Sequence, residues 1–536
     1  MNLLTDPIPE LLPIRQGDAV RFIFDAASAQ VGSVALAGTF NSWVGDACML
    51  EQVTPTRWQA TLAIPPGRHL YKFVIDGTEW TPDPANPWIS EDGQNNSCLT
   101  VDEHGEVLMR QRGLGPAAPG PLYQRHQALA SPQWLHDAVI YQLSVRAFGG
   151  TFDGVRARLD YLQELGINVI WMMPVHAIGK RDRRGTLGDP YAVRDFEAID
   201  PALGDSAGLR ALVDAIHARG MRIVYDWTLN RSSADHPLTV SHPDWYTRRA
   251  DGTVYYAVPE RGYFAGFDFR NRALRSYLLG AMQRWIARYD IDGLRFDDSD
   301  ITPTDYLAEI RAALATQRPG IALISQAYDE FHHLASCDLT YEGGTREVLR
   351  RIAQGQADAG AFAAYWNEST YSFPRGALRM RWLEDKEQPR ANMVLGAGAH
   401  RAAAALLLTM DGVPHMLMGQ EFAEPGWRDW TVLFNDYRLD WNSFDRALHD
   451  HYRTLIALRR EHSALRSDIT AFIEGLPHGV IGMRRGGGRE AITVLANLSN
   501  QPVPLPAVDG KVLYTQGWDA AHRMLAAHGC VLQACA

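Results

Sequence analysis

Several apolar runs in this chain stop at residues able to do chemistry. GLRFD (293–297) carries Arg295 and Asp297 two positions apart, so on an extended strand both face one side. The guanidinium can then keep that carboxylate ionised through charge and hydrogen bonding. RIVYDW (222–227) holds Asp226 and runs on to Asn230 and Arg231, while MRWLED (380–385) ends in Asp385 and continues into Lys386 and Glu387. IALISQ (321–326) ends instead in Gln326. A carboxylate can attack an electrophilic carbon and a second can hold hydroxyl groups. The primary amide of Gln326 can hydrogen-bond a leaving oxygen, but it has no titratable proton to give.

Such side chains meet only if a scaffold brings their segments together. From about 137, apolar runs alternate with amphipathic helical patterns such as LRALVDAIHARG: VIYQLSV (139–145), NVIWMMP (168–174), RIVYDW, GLRFD, IALISQ, DLTYE (338–342), MRWLED and HMLMGQE (415–421). Eight such runs are the count of a closed parallel (β/α)8 TIM barrel, whose functional side chains sit at the C-terminal strand ends. Residues 1–103 read as an N-terminal β-sandwich of short alternating strands, and the Gly- and Pro-rich 104–136 as a linker. The barrel is expected over 137–469, with an aromatic-rich insertion at 228–267 and an all-β domain over 470–536.

The bulk numbers exclude several classes. The 536 residues are too many for one small domain. A net charge of −10 argues against nucleic-acid or membrane-surface binding, which need concentrated positive charge. Five cysteines without repeated close spacing fit neither a disulfide framework nor a zinc site. His236, His242, His332 and His333 lack ligand spacing and read as surface or capping residues. The start MNLLTDPIPELLPIRQGD has no signal-peptide pattern, so a cytoplasmic location is expected. Fifteen Trp and twenty Tyr supply flat rings of the kind that hold sugars.

YDWTLN (225–230), DGLRFD (292–297) and DPYAVRDF (189–196), together with GQE (419–421), resemble glycoside hydrolase family 13, the α-amylase family. AGTFNSW (37–43) with LYKFVIDGTEWTPDP (70–84) resembles a family 48 carbohydrate-binding or early-set module. The first resemblance implies a retaining double displacement on α-glucans or malto-oligosaccharides. Asp297 falls on the nucleophile, with Arg295 beside it, Tyr191 on the ring under the sugar and Asp226 on a buried aspartate that orders the site. The second resemblance implies glucan stacking by Trp43, Lys72 and Trp80, although the two tryptophans could equally pack against the barrel.

Three departures accompany the match. Gln326 stands where the family has its glutamic acid. Glu387 stands where it has the sugar-holding aspartate. Arg231 and Lys386 replace two sugar-contacting histidines, and Asp385 an asparagine. The resemblance therefore implies a hydrolase or transglycosylase with an atypical site; the alternative is a degenerate protein that binds glucan or a partner. The added cations could receive an anionic or activated sugar, or could close the pocket with salt bridges, Arg231 to Glu387 and Lys386 to Asp385 or Asp297. Asp298, Asp300, Asp329 and Glu330 are candidate substitute acids, with Asp298 expected to point away from the face of Asp297. No cofactor is required; the family's structural calcium would lie near Asn230, without an identifiable cage.

Overall fold

The structure is a computed structural model. It describes residues 11–535 apart from 42, 66, 87–94, 102–104, 106, 109–125, 250, 255, 257–260, 488–489 and 507–509. The Gly- and Pro-rich stretch at 111–126 falls, but for His126, outside the described residues.

Eight parallel strands close into a barrel: β1 Ile140–Leu143, β2 Val169–Met172, β3 Arg222–Thr228, β4 Gly293–Asp297, β5 Ala322–Ser325, β6 Leu339–Glu342, β7 Leu378–Trp382 and β8 Val413–Leu417. Strand pleating sorts the side chains. Ile140, Trp171, Val224, Ile324, Tyr341 and Met380 fill the barrel, while Tyr141, Met172, Tyr225, Leu294 and Leu323 face the helical ring. β3 and β4 pair with Asp226 opposite Arg295 and Thr228 opposite Asp297, which stacks the charged positions at one barrel end. Between β2 and β3, helix Ser206–Ala218 starts at Asp205, whose Oδ1 accepts the amide of Gly208 at 2.8 Å.

Two antiparallel sheets form the N-terminal sandwich around Val20, Phe22, Leu36, Trp58, Tyr71, Phe73 and Leu99. A six-stranded antiparallel sheet between Thr470 and Ala534 forms the C-terminal part. Some elements differ from the sequence-based expectation. β7 ends at Trp382, so Asp385, Lys386 and Glu387 ride on the loop beyond it, and β8 begins two residues before His415. His236, His332 and His333, expected at the surface, are buried: His332 Nδ1 meets Ser325 Oγ at 2.7 Å and His333 Nε2 meets Thr340 Oγ1 at 2.9 Å. Burial drives the imidazole of His332 down to about 4, so these rings are neutral packing elements.

Trp43 is also turned inward. It is 6% exposed and packs with Leu70, Val74, Trp80 and, from the loop after β4, Ile301. Its ring lies 6.4 Å from that of Trp80, and its backbone is left-handed with φ 58°. A sugar face needs the ring open to solvent, so Trp43 serves as packing against the barrel; Trp80 and Lys72 remain half-buried beside it. Arg68 ties the same sheet to the loop after β5, donating to the carbonyl of Tyr328 at 2.6 Å.

Candidate active site

Asp297 ends β4 and is 1% exposed, with both carboxylate oxygens occupied. Oδ1 accepts from Arg295 Nη1 at 2.5 Å and from Lys386 Nζ at 2.9 Å; Oδ2 accepts from Arg231 Nη2 at 2.5 Å. Burial pushes this carboxyl up, but Lys386, Arg295 and Arg231 together outweigh it and hold it well below the usual carboxylate range. Below it, Arg295 Nη1 donates to Asp226 Oδ1 at 2.8 Å and Nη2 to Tyr341 Oη at 2.9 Å. Asp226 Oδ2 accepts from Tyr191 Oη at 2.8 Å and Trp171 Nε1 at 3.0 Å. The structure thus brings Tyr191, Asp226, Arg295 and Asp297 into one connected network.

Arg231 arrives from the insertion. It opens the short strand Arg231–Ser233, paired with Phe264–Gly266, which lays its guanidinium 4.4 Å over the Phe264 ring. Its Nη1 donates to Asn230 Oδ1 at 2.7 Å and to Asp298 Oδ2 at 2.6 Å. Arg231 therefore pairs with Asp297 and Asp298, not with Glu387. Asp298 also departs from the expected direction. Strand alternation stops at Asp297 because Asp298 is left-handed (φ 46°, ψ 45°), and this turns its carboxylate back to Arg231. With a guanidinium on Asn230 Oδ1, this corner does not fit a calcium ion, and no cluster of metal-ligating side chains occurs among the described residues.

Lys386 bridges the pocket. Besides Asp297 it pairs with Glu387 Oε1 at 2.8 Å, and its Nζ sits 3.9 Å from the centroid of the Tyr191 ring. Asp385 lies beneath, 3% exposed, accepting the amide of Glu387 at 3.0 Å; burial and the neighbouring Glu387 push its carboxyl up to about 7. Gln326 lies one residue past β5, and its Oε1 accepts the amide of Asp298 at 3.0 Å. Among the proposed substitute acids, Asp298 is held by Arg231, while Asp329 and Glu330 lie in the field of Arg68 on the module side. Glu421, of the GQE stretch, is buried elsewhere and accepts from Tyr141 and Tyr161 at 2.9 and 2.6 Å.

Sequence reasoning missed two contributors. Trp430 meets the Tyr191 ring edge-on at 6.4 Å, and Arg261 stacks on Trp430 at 5.3 Å. The dense Arg and aromatic content of the insertion was the available signal.

Three family models match this chain. Residues 122–250 match the catalytic domain of α-amylase, 21–107 the glycogen recognition site of AMP-activated protein kinase, and 477–532 a domain of unknown function, DUF3459. The catalytic-domain match places residues 122–250 in the α-amylase family. It is 28% identical over 435 residues to an α-amylase of Haloarcula japonica, across 77% of this chain and 63% of that relative. Over 385 residues it is 26% identical to an α-1,4-glucan:maltose-1-phosphate maltosyltransferase of Cereibacter sphaeroides, across 65% of this chain and 55% of the relative. In structure it is similar to a maltogenic α-amylase of Thermotoga neapolitana, with TM-score 0.66, 25% identity, and coverage of 75% of this chain and 100% of that one. Within this barrel, Lys386 lies between Asp297 and the Tyr191 ring, and Arg231 holds Asp297 from the side of the insertion.

Proposed function

We propose that this chain is an α-glucan-recognising member of the α-amylase family whose barrel site does not run acid-assisted glycosidic cleavage. One observation carries the reading: Lys386 Nζ rests on Asp297 at 2.9 Å and on the Tyr191 ring at 3.9 Å, where a sugar and its attacked carbon would have to enter. A carboxylate shared by three cations is a poor nucleophile, because its lone pairs are already engaged. Freeing it would strip paired charges in a buried site, at a cost of several kcal/mol. Gln326 adds to this, since a missing positioned acid alone costs about a hundredfold to ten-thousandfold in rate. The ligand class is supported by the relatives, an α-amylase and a glucan maltosyltransferase, and by the glycogen-recognition match of the N-terminal module.

A second reading keeps turnover: transfer from a donor whose leaving group departs without protonation. It is favoured by the firmly ionised state of Asp297 and by the relative named for a maltose 1-phosphate donor. Fluoride release from α-maltosyl fluoride separates the two, because fluoride leaves unprotonated. The first reading expects no enzymatic release from the folded protein. Release that Asp297→Asn abolishes, with folding verified, overturns it in favour of the second.

A further inference from the structure

The N-terminal sandwich grips the barrel at two loops, and both lead straight back to Asp297. After β4 the chain makes one short helical turn, Ser299–Ile301, in which the Ile301 amide donates to the carbonyl of Asp298 at 3.3 Å. The Ile301 side chain packs into the module's smaller core, with Ala35, Ala37, Trp43, Leu70 and Val74. After β5, Arg68 of the module donates from Nη1 to the carbonyl of Tyr328 at 2.6 Å, two residues beyond Gln326.

The two gripped loops are braced to each other below the seam. Gln326 Oε1 accepts the Asp298 amide at 3.0 Å, and Ser299 Oγ meets Ser325 Oγ at 2.7 Å. Between these braces lies Asp298, left-handed at φ 46°, a conformation that a residue with a side chain keeps only where its surroundings impose it. That backbone decides where the carboxylate goes. Its Oδ2 accepts from Arg231 Nη1 at 2.6 Å, and Nη2 of the same guanidinium reaches Asp297 Oδ2 at 2.5 Å. An extended residue at 298 would send the carboxylate to the opposite face and leave Arg231 without this second anion.

We propose that the N-terminal module is a clamp on the barrel site. Ile301 and Arg68 act as positioning residues: they hold the loops after β4 and β5 against each other, fix the turn at Asp298, and so keep Arg231 on Asp297. The module then sets the shape of the pocket without touching anything in it. This assignment concerns the order of the site and stands or falls independently of whether the site turns over.

Hydrogen–deuterium exchange of the full chain tests it. Arg68→Gln combined with Ile301→Ala loosens both grips, and Ile301 lies partly exposed at the edge of its cluster, so neither core is emptied. Exchange should rise about tenfold in 297–302 and also in 230–233 and 264–267, the scale of one charge-assisted hydrogen bond lost from a local opening. The strands β1 and β2 and the C-terminal sheet should exchange as in the parent chain. Arg68→Lys with Ile301→Val keeps a cationic donor and a branched side chain, and should return all three segments to within about threefold of the parent. Asp298→Asn tolerates the left-handed backbone but gives up the charge on Arg231; in that background, loosening the seam should add nothing further at 230–233. No rise, or a rise confined to 297–302, overturns the proposal, because the seam would then order its own loop and nothing beyond it. A uniform rise over the whole barrel also overturns it, since loss of packing alone produces that pattern. An undiminished rise at 230–233 in the Asp298→Asn background sinks the route through Asp298.

Discussion

The Lys386 ammonium stands 3.9 Å from the centre of the Tyr191 ring while donating to Asp297 at 2.9 Å. One side chain thus covers the aromatic face and occupies the carboxylate. Replacing Lys386 by Ala leaves Asp297 paired with Arg231 and Arg295, and uncovers the ring. Maltose affinity should rise by about threefold or more, the scale of one aromatic contact regained. Titration that finds maltose binding unchanged would show that the ring is not a sugar surface.

Asp297 is the anion at the centre of three cations, so its removal should be costly. Asp297→Ala should destabilise the protein by about 3–5 kcal/mol, because Arg231, Arg295 and Lys386 would lose the buried anion they share and keep only Asp298, Asp226 and Glu387 as counter-charges. Urea denaturation reads this directly. A catalytic aspartate held poised and under-compensated behaves in the opposite way, and its loss is neutral or stabilising.

Gln326→Glu supplies an acid without opening the pocket. The Oε1 of Gln326 is engaged by the Asp298 amide, and Lys386 still covers Tyr191. Reducing-sugar release from maltotriose should therefore stay far below amylase rates. Amylase-level turnover from this single change would refute the closed-site reading.

The Glu421 carboxyl gives the folded state a pH signature. Burial pushes it up to about 7, against about 4.3 when unfolded. Its folded pKa is raised, so its contribution to stability is complete below about pH 4 and is lost as pH rises through about 7. The scale is on the order of 3–4 kcal/mol. Glu421→Gln, which cannot ionise, should flatten the fall in Tm between pH 5 and pH 8 relative to the parent chain. Parallel Tm profiles would count against this assignment.

Trp43→Ala tests the module seam. Loss of a buried tryptophan packed on Trp80 and Ile301 should cost about 3–5 kcal/mol, and glycogen affinity should stay the same. A stable variant with weakened glycogen binding would return Trp43 to a sugar-stacking role.

Much of this architecture is legible in the sequence because strands announce themselves by apolar runs and helices by their period. Arg295 and Asp297 share a face by alternation alone, and their pairing follows from spacing. What alternation cannot reach begins where regular structure ends. Asp298 turns back through a left-handed residue, Lys386 is carried by a loop, and Arg231 chooses Asp297 over Glu387 because a strand of the insertion aims it there. Partner choice among several buried charges depends on such loop geometry. Trp43 stays open in the sequence for another reason: its motif reports the module's shape, whereas its exposure depends on what the barrel places against it.

The triple grip on Asp297 bears on how this sequence can change. Restoring a neutral side chain at Arg231 leaves Asp298 and Asn230 without their donor, and doing so at Lys386 strands Glu387 beside Asp385. Each single reversal therefore passes through a less stable protein before any catalytic gain, and the two sites share partners, so their effects are not additive. The salt-bridge cluster therefore behaves as a locked unit, in which no charge around Asp297 can be exchanged alone without a cost in stability.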